Sequence, residues 1–130
     1  MMAADTIAGR LEAVRRELPP EVELVAVSKF HPAEAVLAAY RAGQRRFGES
    51  RVQELLAKMP QLPDDIQWHF IGHLQTNKVR SLIGKTALIE SVDSERLLDL
   101  IDKESARADV VTNVLMQLHV AMEETKFGFY

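Results

Sequence analysis

The chain has 130 residues, with 16 Lys plus Arg against 19 Asp plus Glu and a net charge of −3. An apolar share of 47% and a charged share of 27% are those of a globular domain and exclude a disordered, collagen-like or low-complexity chain. There is no cysteine for a disulfide, thiolate metal site or nucleophile, no apolar run of membrane-spanning length, and no basic stripe beyond the isolated pairs Arg15-Arg16 and Arg45-Arg46 to attract nucleic acid.

Met1-Met2-Ala3-Ala4-Asp5 has no basic stretch leading into an apolar core, so no signal peptide is expected and a cytoplasmic domain is the default. Residues 6–18 read as a helix with Ile7, Leu11, Val14 and Leu18 on one face, stopped by Pro19-Pro20. Val22 to Val27 reads as a strand. Pro32 suits the first position of a helix over Ala33 to Ala42, and Gly43 ends it. Gln44 to Phe47 is a short strand. Ser50-Arg51-Val52-Gln53 fits a capping box that opens a helix reaching Met59, and Pro60 and Pro63 mark the next loop. Ile66 to Ile71 is the third strand, Gln75 to Ile83 a helix with Gly84 as its stop, and Ala87 to Glu90 the fourth strand. Asp93 or Ser94 caps a helix from about Glu95 to Arg107, and Val110 to Val120 holds a fifth strand.

The order is one helix, four βα units and a fifth strand. Repeated βα order implies parallel strands with right-handed crossovers. An open doubly wound sheet and part of a barrel both fit, and periodicity does not choose between them. In either, function sits at the C-terminal strand ends. Those ends are Ser28-Lys29, Gly48-Glu49-Ser50, Gly72-His73, Ser91-Val92 and Ala121-Met122. A complete eight-stranded α/β barrel takes ~250 residues, about twice this length.

Lys29 closes the apolar run Val25-Ala26-Val27-Ser28. A lysine projecting into the mouth of a sheet is partly desolvated, which disfavours its ammonium form; the neutral amine attacks aldehydes to form a Schiff base. A solvated strand-end lysine is the simpler alternative. Gly48-Glu49-Ser50 permits close backbone approach and offers free helix-start amides to an anion, or is a plain βα turn with Ser50 as cap. His69 and His73 are four apart, but a strand end and Gly72 intervene, so a helical zinc pair is not expected and His69 reads as a buried, hydrogen-bonded group. Gln75 and Asn77 orient a ligand or cap a helix. Glu123-Glu124-Thr125-Lys126-Phe127-Gly128-Phe129 reads as an active-site loop or a frayed terminus, and His119 as part of sheet packing. No dinucleotide fingerprint, P-loop or nucleophile elbow occurs.

Taken together, Val25-Ala26-Val27-Ser28-Lys29, Ala42-Gly43-Gln44-Arg45-Arg46-Phe47-Gly48-Glu49, Val52-Gln53-Glu54 and the run Trp68-His69-Phe70-Ile71-Gly72-His73-Leu74-Gln75-Thr76-Asn77-Lys78 occur in an order that closely resembles the pyridoxal 5′-phosphate homeostasis family. The resemblance runs from about residue 6 to Lys126-Phe127-Gly128 and beyond, to the last residue. It implies a parallel (β/α) barrel of TIM type, like the N-terminal domain of alanine racemase. One domain over 1–130 would hold only the first five strands with an N-terminal helix. It further implies pyridoxal phosphate at the strand mouths and Lys29 as the lysine of the internal aldimine. Ser50, His69, Gly72 and Asn77 are the further cofactor-binding candidates, and neither a catalytic residue nor a metal ligand is assigned.

The implied role is intracellular supply of the cofactor, with apo enzymes that use pyridoxal phosphate as recipients and no established catalysis. Two departures qualify it. Ser50 stands where the family usually has Asn, and Arg51 where it often has Tyr. The later strands, which in the family bring a Ser/Gly-rich region resembling a phosphate clamp, lie beyond these residues. Two alternatives therefore stay open: a racemase-like enzyme, and a truncated chain without tight ligand binding.

Overall fold

The computed structural model describes residues 6–118. The part of the fifth strand expected beyond Leu118, His119 and the segment from Ala121-Met122 to Phe129 lie outside the described residues.

Helix α1 (Ile7–Glu17) opens on Thr6, whose hydroxyl accepts from the Gly9 amide at 3.0 Å. Of its expected apolar face only Leu11 is buried; Ile7 and Val14 are exposed, because α1 packs chiefly on one neighbour, helix α2 (Ala33–Arg41). The Arg15 guanidinium ties the two together, donating to the Ala42 carbonyl at 2.9 Å and to Gln44 Oε1 at 2.7 Å. Pro32 is the N-cap of α2 rather than its first helical residue, with ψ of 162° in the extended region. Gly43, at φ +101°, supplies the left-handed turn that ends the segment.

Strand β1 (Ala26–Val27) is much shorter than the strand expected from Val22, since it is an edge strand with ladder partners only at Phe47 and Gly48. Strand β2 (Arg46–Glu49) follows. The capping box expected at Ser50 does not form: helix α3 (Val52–Lys58) has Arg51 at its N-cap and no side-chain cap hydrogen bond. Ser50 is one residue too early for the role. A 3-10 turn over Met59–Gln61 leads to strand β3 (Gln67–Phe70).

The helix expected over Gln75 to Ile83 is instead a 3-10 turn at Thr76–Lys78 followed by the one-turn helix α4 (Val79–Leu82). Gly84, at φ +83°, lies just beyond its end. Strand β4 (Leu88–Val92) runs two residues further than expected. Helix α5 (Glu95–Arg107) is capped by Ser94, whose Oγ accepts from the Leu97 amide at 3.1 Å. Strand β5 (Val114–Met116) completes the described sheet.

The five strands are all parallel and lie in sequence order, β1-β2-β3-β4-β5. A doubly wound sheet reverses its strand order at a switch point, whereas a barrel advances strand by strand. The order is that of a barrel, and among the described residues it stays open, with β1 and β5 as edges.

Pairing places Ala26, Phe47 and Trp68 in one row and Val27, Gly48, His69 and Leu88 in the next. Successive rows point to opposite faces. Phe47 and Trp68 are buried, with ring centroids 5.9 Å apart, in a core shared with Leu55, Val79, Leu82, Leu97 and Ile101 from the helices. Val27, on the other face, is 52% exposed. The sheet thus has a helix-covered face and an open face, the latter corresponding to the interior of a closed barrel.

Candidate functional site at the strand mouths

The open face and the C-terminal strand ends carry most of the residues singled out from sequence. Gly48 sits in the second row, where a Cβ would meet Ile71 Cδ1 at 3.0 Å and Val25 Cγ1 at 3.4 Å. Next to it in register, His69 is only 7% exposed, and its Nδ1 lies 2.8 Å from Glu90 Oε2. His73 diverges from His69 and pairs with Asp93 at 3.3 Å. The two histidines therefore serve different carboxylates.

Gly72 lies against the end of β2. A Cβ there would strike the Ser50 carbonyl oxygen and approach Ser50 Cα to 2.8 Å. Only glycine lets the loop after β3 close onto Ser50 in this way. Ser50, Arg51, Phe70, His73, Gln75 and Lys78 line a cavity of about 310 Å3 beside this contact. Arg51 and Lys78 place two cations on this wall, which gives the mouth an attraction for anions. Asn77 is not part of that wall. It is exposed on the 3-10 turn and borders a separate hollow with Thr76, Arg96, Asp99, Leu100 and Lys103.

Lys29 is half-buried in the turn that leaves β1. Its neighbours are anchored tightly. The Ser28 amide donates to the Gly48 carbonyl at 2.9 Å, and the Ser28 hydroxyl donates to Glu49 Oε2 at 2.5 Å. Phe30 has a left-handed backbone, φ +67°, and its amide donates to Glu54 Oε2 at 2.6 Å. The Arg51 guanidinium stacks over the Phe30 ring at 5.0 Å.

A buried ion cluster underlies this turn, one that sequence reasoning did not single out. Glu49 is fully buried, and Lys58, at the end of α3, is 6% exposed. Lys58 Nζ donates to Glu49 Oε2 at 2.8 Å, to Glu54 Oε2 at 2.8 Å and to the Ser28 carbonyl at 2.7 Å. All three ammonium protons are thereby used. Burial pushes the Glu54 carboxyl up, but hydrogen bonds from Lys58 and the Phe30 amide outweigh it and hold the group below the ordinary glutamate value. Glu49 Oε1 has no partner among the described residues. The i, i+4 spacing of Glu54 and Lys58 was the one signal in the sequence, and it normally marks a surface pair.

The profile of the alanine racemase N-terminal domain family matches residues 3–130. The chain belongs to this family. Its curated relatives include proteins named pyridoxal phosphate homeostasis protein. That of Schizosaccharomyces pombe is 41% identical, over 95% of this chain and 55% of its own length. That of Aquifex aeolicus is 46% identical over 82% and 47%, and the human one 42% over 87% and 45%.

Among solved structures, PipY of Synechococcus elongatus without its ligand superposes with a TM-score of 0.93. It is 42% identical, over 96% of this chain and 59% of PipY. PipY with pyridoxal phosphate bound superposes at 0.85. Alanine racemase of E. faecalis shares the fold at a TM-score of 0.77 and 17% identity, over 95% of this chain and 34% of its own. The chain spans about half the length of the curated relatives it matches. The fold is thus an α/β barrel of the alanine racemase N-terminal type, seen here through its first five strands. Among the described residues no helix is long and apolar enough to cross a membrane.

Proposed function

We propose that this chain binds pyridoxal phosphate as part of a cytoplasmic protein of vitamin B6 homeostasis, holding the cofactor as a Schiff base on Lys29 and releasing it to apo enzymes. The observation that carries the reading is a half-buried primary amine on an anchored turn at the mouth of a family barrel whose relative PipY binds pyridoxal phosphate. When bound, the cofactor supplies an aldehyde to the site.

The residues present fit that group. The Lys29 amine adds to the aldehyde carbon, and loss of water leaves a carbon–nitrogen double bond. Gly48 lets the Ile71 and Val25 side chains pack close beside His69, where a Cβ would meet them. His69, held by Glu90, presents a polar ring edge on that face. Ser50 contributes its polar group at the cavity rim, and Gly72 acts by holding Ser50 in place. Asn77 borders a different hollow, and Lys29 and His69 are likewise outside the wall of the Ser50 cavity, so the proposed set is joined by the strand mouths rather than by one cavity.

Borohydride reduction of the chain with pyridoxal phosphate, followed by peptide mass mapping, is expected to place the pyridoxyl group on Lys29. An adduct on another lysine, or none, would sink this reading.

A further inference from the structure

We propose that the buried cluster Glu49–Lys58–Glu54 is a positioning device for Lys29, gripping the peptide group on each side of it. The inference rests on the Schiff-base reading and adds residues to it. The peptide joining Ser28 to Lys29 offers its carbonyl to Lys58 Nζ at 2.7 Å. The peptide joining Lys29 to Phe30 offers its amide to Glu54 Oε2 at 2.6 Å. Lys58 in turn binds Glu54 and Glu49, and Glu49 takes the Ser28 hydroxyl. Both flanking peptides are therefore tied to one rigid group, and that group is rooted in β2 and α3.

Three features set this arrangement apart from ordinary stabilisation. A buried ion cluster is weak evidence for stability, because well-packed apolar residues do as well or better. Glu54 also does more than pair with Lys58 along α3, because the same Oε2 takes the Phe30 amide across the β1 turn. Finally, the cluster holds an aromatic residue, Phe30, in the left-handed region directly after Lys29. Such backbone persists where the surroundings over-determine it, and it gathers at functional sites. Fixing both peptides limits Lys29 to the freedom of its own side chain, so its amine is presented over a narrow range of directions.

The test is a time course of labelling with pyridoxal phosphate and borohydride on the full chain, mapped lysine by lysine. In Glu54→Ala, labelling of Lys29 is expected to slow about tenfold. Labelling of the exposed Lys85 and Lys103 should keep its rate. Glu54→Gln retains an acceptor oxygen for the Phe30 amide and should restore most of the Lys29 rate. If Glu54→Ala does not fold, Glu54→Asp, which withdraws the carboxylate by one methylene, takes its place with the same expectation.

An unchanged rate at Lys29 in the folded variant overturns the positioning role while leaving the Schiff base intact. So does a loss that Lys85 and Lys103 share, because a general loosening of structure then accounts for it. Absence of any Lys29 adduct in the parent chain overturns the Schiff-base reading, and the positioning role with it.

Discussion

Single residues at the strand mouths differ sharply in what they tolerate. At Gly72 a Cβ would collide with backbone atoms of Ser50, which cannot move without shifting β2. Gly72→Ala is expected to cost about 3 kcal/mol, the upper end for overpacking. At Gly48 the nearest obstacle is the flexible end of Ile71, so Gly48→Ala should cost under about 1 kcal/mol. Urea denaturation of the two variants checks the contrast. Lys58→Met removes the only cation facing Glu49 among the described residues and leaves a buried carboxylate uncompensated. A loss of about 3–5 kcal/mol is expected, with much of it recovered in Glu49→Gln/Lys58→Met, where the orphaned charge is gone. A double-mutant cycle in which the second substitution recovers nothing would contradict this account.

At the scale of elements, local signals held where the chain closes its own hydrogen bonds. Ser94, one of the two caps the sequence offers, caps α5, and Thr6, read as the first residue of its helix, caps α1. Ser94→Ala is expected to lower stability by about 1 kcal/mol, read from the shift in urea midpoint. Signals failed where a partner element decides. Val22 to Val27 reads as a strand in the sequence, yet β2 offers ladder partners only from Ala26 onward. Ser50-Arg51-Val52-Gln53 has the residue pattern of a capping box, yet the Gly72 contact belongs to Ser50's backbone, and the helix starts two residues later. The Gln75 to Ile83 segment carries helical spacing but divides into a 3-10 turn and α4.

Over the whole molecule, the charged groups buried between elements tie stability to pH. Hydrogen bonds from Arg80 and then Arg107 hold the Glu104 carboxyl below its ordinary value against the opposing effect of burial. Glu54 is also held low. A carboxyl depressed in the folded state contributes stability above its unfolded value, 4.5 for both, and that contribution is lost as pH falls through the folded value. Unfolding free energy should therefore be level near neutrality with respect to these two groups and decline below about pH 4.5. Glu54→Gln should make that acid decline shallower in urea titrations run across pH. An acid slope identical to that of the parent would show that Glu54 carries none of it.

The βα alternation, the parallel sheet and the strand ends were legible in the sequence because they rest on local periodicity and on handedness rules that any such chain obeys. The motifs around Lys29, Gly48 and Trp68 to Lys78 also sufficed to mark the family. Tertiary structure showed the barrel order that the family motifs implied and that periodicity leaves open, since periodicity is blind to which strands become neighbours. It alone separated Asn77 from the cavity that Ser50 and Gln75 share. It alone brought Glu49 and Glu54 from two separate motifs together with Lys58 as a buried cluster around Lys29. The physical reason is common to all three: burial and hydrogen-bond partners are set by residues far apart in the chain, here Ser28 with Lys58, 30 positions on.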